Sequence, residues 1–137
     1  MVEAEGVVSR ESFRGIVSRF IPIEEKNNLD YESLAYAIVK FWKPGFESTL
    51  SKNQSVLIDF IRTSQQFKTF EGSKFSAQVS RDLIKNKIVL LGYLGPTDED
   101  KHFTPIRYVK YHYENVPDTY GIVILANEIR TVLKYAK

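Results

Sequence analysis

Apolar residues recur at helical spacing through the first two thirds of the chain and give way to short apolar runs in the last third. Phe13, Ile16, Val17 and Phe20 lie three or four apart on one stripe, which predicts a helix over 10–20, capped by Ser9 or Ser12 and ended by Ile21-Pro22-Ile23. After a polar connection at 24–28, Leu34, Ala37, Ile38, Phe41 and Trp42 predict a second helix, with Asp30 as its cap and Pro44-Gly45 as its stop. Val56, Leu57, Phe60 and Ile61 give a third over 52–67, capped by Ser51. A fourth, over 76–86, sets Ala77, Val79, Leu83 and Ile84 against a basic face of Lys74, Arg81, Lys85 and Lys87.

Beyond Lys87 the period changes. Residues 88–94 read as a strand, 95–100 as an exposed loop, 101–113 as a second strand and 115–118 as a turn. Residues 120–125 read as a strand or the start of a buried helix, and 127–135 as a closing amphipathic helix. The expected class is α+β: about four helices first, a small antiparallel sheet late and a C-terminal helix. Residues 1–8 would be a flexible tail and 9–137 a single domain, with a helical lobe over 9–87 and a small-sheet lobe over 88–137.

Composition narrows the chemistry. The 137 residues contain no cysteine, which excludes disulfides, thiolate metal sites, iron–sulfur ligation and a cysteine nucleophile within them. His102 and His112 are the only histidines, so no metal site is expected. The N-terminus lacks the apolar core of a signal peptide and no apolar run reaches a membrane span, so a soluble, cytoplasmic protein with no membrane partner is expected. There is no Gly-rich phosphate loop and no Gly-x-Ser-x-Gly elbow, which points to a binding protein without cofactors or catalytic residues of its own.

Net charge is uninformative, with 19 Lys and Arg against 17 Asp and Glu. Its distribution is not. Lys101, Arg107 and Lys110 share a stretch, 101–113, with both histidines, three tyrosines and no carboxylate, while acids gather at Glu24-Glu25 and Asp98-Glu99-Asp100. As a strand, this stretch would put Ile106, Tyr108, Lys110 and His112 on one side and Arg107, Val109, Tyr111 and Tyr113 on the other. Such groups can grip phosphates and stack on bases; the same pattern also suits a half-buried strand.

Two resemblances bear on these residues. Gln54 to Ile61 resembles a sliding-clamp-binding box, although its apolar spacing also suits a core helix. Phe103-Thr104-Pro105-Ile106-Arg107-Tyr108-Val109-Lys110 resembles the stretch in the C-terminal domain of the DNA primase large subunit that carries an iron–sulfur ligand, with Tyr108 at the ligand position; Ile122, after Gly121, stands at a second. A cluster-free relative of that domain exists as the noncatalytic third subunit of some archaeal primases. The resemblance implies an accessory subunit that binds the initiating nucleotide triphosphate and single-stranded template beside separate catalytic and large primase subunits. It implies Trp42, Lys43, Lys52, Asn53 and Gln54 for the triphosphate, at a helix start. Stacking by Trp42 and Tyr108 would join phosphate contacts from Lys43, Lys52, Arg107, Lys110 and His112. Two alternatives stand beside it: a winged-helix duplex-DNA binder using 76–86 as recognition helix, and a protein–protein interaction module.

Overall fold

At Arg14-Gly15 the backbone takes φ of 52° and 76°, the two positive values a tight two-residue hairpin turn demands. The stretch expected to be the first helix is therefore a hairpin, β1 (Arg10–Phe13) and β2 (Ile16–Phe20). The computed structural model describes residues 6–8, 10–75, 81–106 and 116–137. The helical spacing of Val17 and Phe20 has a different origin. Arg19 pairs with Glu11 and Val17 with Ser12, so Ser18 is an extra residue opposite the Glu11–Ser12 step. This bulge turns two positions three apart onto the same buried face, which strict alternation would forbid.

The expected polar connection at 24–28 is a second hairpin, β3 (Ile23–Lys26) and β4 (Leu29–Glu32), closed by Asn27 and Asn28 at φ of 52° and 61°. Asn is among the few non-glycine residues that tolerate this region, because its short amide can bond locally. The helix that follows, α1 (Leu34–Trp42), begins at Ser33 rather than Asp30, with Ser33 Oγ accepting from the Tyr36 amide at 3.2 Å. Asp30 lies in β4 opposite Glu25.

The third expected helix is extended chain. Val56, Ile58 and Phe60 are 2%, 3% and 6% exposed while Leu57 and Ile61 are 60% and 47% exposed, a period of two. Val56–Leu57 forms β5, which pairs with β2 to give the sheet order β1-β2-β5, and a short 3₁₀ turn follows at Ser64–Gln66. The described end of the fourth expected helix is α2 (Arg81–Ile84); residues 76–80 lie outside the described residues. Residues 88–94 carry no strand, and Ile88 and Leu90 pack on the core as irregular chain. Of the expected strand at 101–113, residues 107–113 lie outside the described residues, and only its first two residues are strand among the described ones. The two-residue strands β6 (Lys101–His102) and β7 (Thr119–Tyr120) pair with each other.

Residues 121–134 form one helix, α3 (Gly121–Lys134), where the sequence suggested a run and then a helix. The order thus reverses the expected one. Strands dominate the N-terminal half, and the longest helix closes the described chain. α3 lies across the centre: Ile124, Ile129 and Val132 pack with Val39 of α1, Phe20 of β2 and the inward side chains of 56–60. Its last turn is strapped to the loop after α1, where Thr49 N donates to Tyr135 O at 2.9 Å and Lys137 N donates to Glu47 O at 3.0 Å.

Candidate functional site

The polar side of α3 decides what surrounds it. Asn127 is fully buried, 0% exposed, and all its bonds go to backbone. Its Nδ2 donates to Val123 O at 2.9 Å and Arg62 O at 3.0 Å, and its Oδ1 accepts from Arg62 N at 3.3 Å. One turn on, Thr131 Oγ1 accepts from Asp59 N at 3.0 Å and donates to Asn127 O at 2.8 Å. Segment 59–62 therefore runs along α3 with side-chain amides and hydroxyls supplying the bonds that a neighbouring strand would. Glu128 pairs with Arg10 at 2.9 Å, and Arg10 also donates to Gly121 O at 3.1 Å, fixing β1 to the same helix. Burial pushes the Glu128 carboxyl above its ordinary pKa, against the pull of the Arg10 guanidinium.

The N-terminus of α3 is equally committed. Gly121 N donates to the carbonyl of Asp100 at 2.9 Å and to its Oδ2 at 3.2 Å, so the acidic loop supplies a carboxylate to the positive end of the helix. A Cβ at position 121 would sit 2.6 Å from Asp100 Oδ1, so a larger residue there would push the Asp100 carboxylate aside. Lys101 bonds Asp98 at 2.7 Å and lies 5.3 Å from the centre of the Tyr120 ring; the Asp98 bond raises the lysine's pKa. His102 Nε2 is 3.7 Å from Asp100 Oδ1.

Between these two anchored regions lies a cleft of ≈ 280 Å³, lined among the described residues by Ser64, Gln65, Thr69, Leu94 and Tyr120. One wall is the 3₁₀ turn directly after Arg62, held by the reciprocal pair Thr63 and Gln66, in which Thr63 N donates to Gln66 Oε1 at 2.9 Å. The other is Tyr120, the residue before α3, whose hydroxyl donates to Gly95 O at 2.6 Å. Gln66 is spent on capping, whereas the Ser64, Gln65 and Thr69 side chains make no hydrogen bond among the described residues. Sequence reasoning passed over these residues; the Thr63-x-x-Gln66 capping signature was the available signal.

The residues chosen from sequence are distributed elsewhere. Trp42, 43% exposed, and Lys43 end α1, so they sit at a helix C-terminus, where the dipole disfavours an anion. Lys52 bridges Asp30 and Glu25, each at 2.8 Å, and those two carboxylates hold its pKa well above the usual lysine range. Asn53, at φ 59°, donates its amide to Ile23 O at 2.7 Å and accepts from Glu25 N at 2.8 Å. Gln54 accepts from Ser51 N at 2.9 Å. Lys52 and Asn53 thus fasten the turn before β5 to the β3–β4 hairpin, Gln54 closes that turn on itself, and no helix starts at Ser51. Arg107, Tyr108, Lys110 and His112 lie outside the described residues. Among the described residues, no group of three or more His, Asp or Glu side chains is placed to hold a metal.

A family model describing the CHASE2 domain matches residues 4–137. The chain belongs to the CHASE2 family. No curated protein and no solved structure matches it significantly. CHASE2 is a sensory domain, and this membership overturns the primase resemblance, the accessory role in primer synthesis and the partnership with primase subunits. The motif behind that resemblance has structural duties in the CHASE2 domain. Phe103 O accepts from Val17 N at 2.8 Å, buried Thr104 shares a 3.0 Å hydroxyl contact with buried Thr119, and Gly121 admits Asp100.

Proposed function

We propose that this CHASE2 domain is a noncatalytic sensory module of a signalling protein, receiving a small molecule in the Ser64–Tyr120 cleft and reporting occupancy through α3. The supporting observation is that each wall of the cleft is fastened to that helix. One wall joins through the Arg62–Asn127 bonds, the other through the peptide between Tyr120 and Gly121. A ligand bridging the walls would load the helix at two points about two turns apart. With no cysteine, the domain gains and loses no disulfide between oxidising and reducing surroundings.

A thermal-shift screen of the chain against neutral, anionic, cationic and apolar metabolites tests the reading. A sensor yields at least one compound that raises Tm in a concentration-dependent way, worth about 2.7 kcal/mol at a hundredfold excess over Kd. A library that leaves Tm unmoved throughout would refute it.

A further inference from the structure

Resting on the sensory reading, we propose that the cleft selects a small, uncharged, multiply hydroxylated ligand of the saccharide class. No described lining residue is charged, and the charged groups on the α3 side are matched, while Lys68, between Gln65 and Thr69 in sequence, makes no ion pair among the described residues and holds its Nζ 5.6 Å from the centre of the Phe70 ring. The positive end of α3 is taken by the Asp100 carboxylate, and Lys101 is paired with Asp98. A phosphate or carboxylate would therefore meet no cationic side chain within the described lining, and a cation would meet no carboxylate there. What the lining does offer is amphoteric. The hydroxyls of Ser64 and Thr69 and the carboxamide of Gln65 each both donate and accept, as each sugar hydroxyl does, and none is engaged among the described residues. Leu94 and the Tyr120 ring supply apolar surface for the C–H face of such a ring. At ≈ 280 Å³ the cleft is open to solvent, with Gln65, Thr69 and Leu94 exposed, and has room for a sugar ring.

The test titrates the ¹⁵N-labelled chain with glucose, trehalose and myo-inositol, and with glucose 6-phosphate, glucuronate and glucosamine as charged counterparts. The expected result is saturable shifts at residues 63–70 and 119–122 with a neutral probe, and binding weaker by about ten-fold or more with the charged ones. Gln65→Ala and Thr69→Val, at exposed positions, should each weaken that binding by about ten-fold while leaving the remaining spectrum unchanged. Tighter binding of a charged counterpart, or neutral binding that survives both substitutions, would overturn the proposal. Should every sugar fail while another compound raises Tm, the ligand class is wrong and the sensory reading stands. Should no compound raise Tm, the sensory reading falls with it.

Discussion

Asn127 ties segment 59–62 to α3 through bonds to the Arg62 backbone. Replacing it by Ala removes the bonds to Arg62 N and Arg62 O in one step, while Val123 O keeps its backbone helix bond. Each backbone group deprived of its partner costs about 1–3 kcal/mol, so Asn127→Ala should destabilise by about 2 kcal/mol or more in urea unfolding. A loss under about 1 kcal/mol would mean water replaces the bonds readily. Glu128 gives a prediction with a definite sign. Its folded pKa is raised, so its contribution to stability is complete below the ordinary carboxylate range and is lost as pH rises through the folded value. Relative to Glu128→Gln, the parent chain should therefore lose ground as pH rises above the ordinary carboxylate range. If the parent instead gains on the variant with rising pH, the Arg10 ion pair outweighs burial. Gly121→Ala should push the Asp100 carboxylate off the helix N-terminus and cost about 0.3–1 kcal/mol, which alanine's better helix propensity partly offsets.

At the scale of elements, the two hairpins depend on backbone signs that only certain residues tolerate. Asn28→Gly should be neutral or slightly stabilising, whereas Asn28→Val should cost about 1–2 kcal/mol, because a β-branched side chain resists φ of 61°. Equal effects of both would show that the turn is not held as described. These turns also explain what the sequence concealed. Arg14-Gly15 and Asn27-Asn28 are hairpin signals, but the first was masked by Phe13, Ile16, Val17 and Phe20 at helical spacing, which in β2 arises from the Ser18 bulge. Between Val56 and Ile61 helix and strand spacing compete, and burial settles it for Val56, Ile58 and Phe60. The helix ending at Trp42 before Pro44-Gly45 was legible because its stop signal is local, and the cleft was not, because its walls lie more than fifty residues apart in sequence. The basic and aromatic stretch drew attention by composition, yet side-chain density says nothing about which groups the fold brings together.

For the whole molecule, the decisive feature is a helix held along its length: Asp100 and Arg10 at its start, Arg62 and Asp59 along its polar side, and the 47–49 loop at its end. A ligand in the cleft adds contacts next to two of these fastenings and none to the third. Amide hydrogen exchange of the chain, with and without the neutral saccharide that binds best among glucose, trehalose and myo-inositol, reads that pattern directly. Slowed exchange is expected together at 62–66 and in the first turns of α3, with β3 and β4 unchanged. Slowing confined to the hairpins, or present at the cleft turn without any response in α3, would contradict a sensor that reports through this helix.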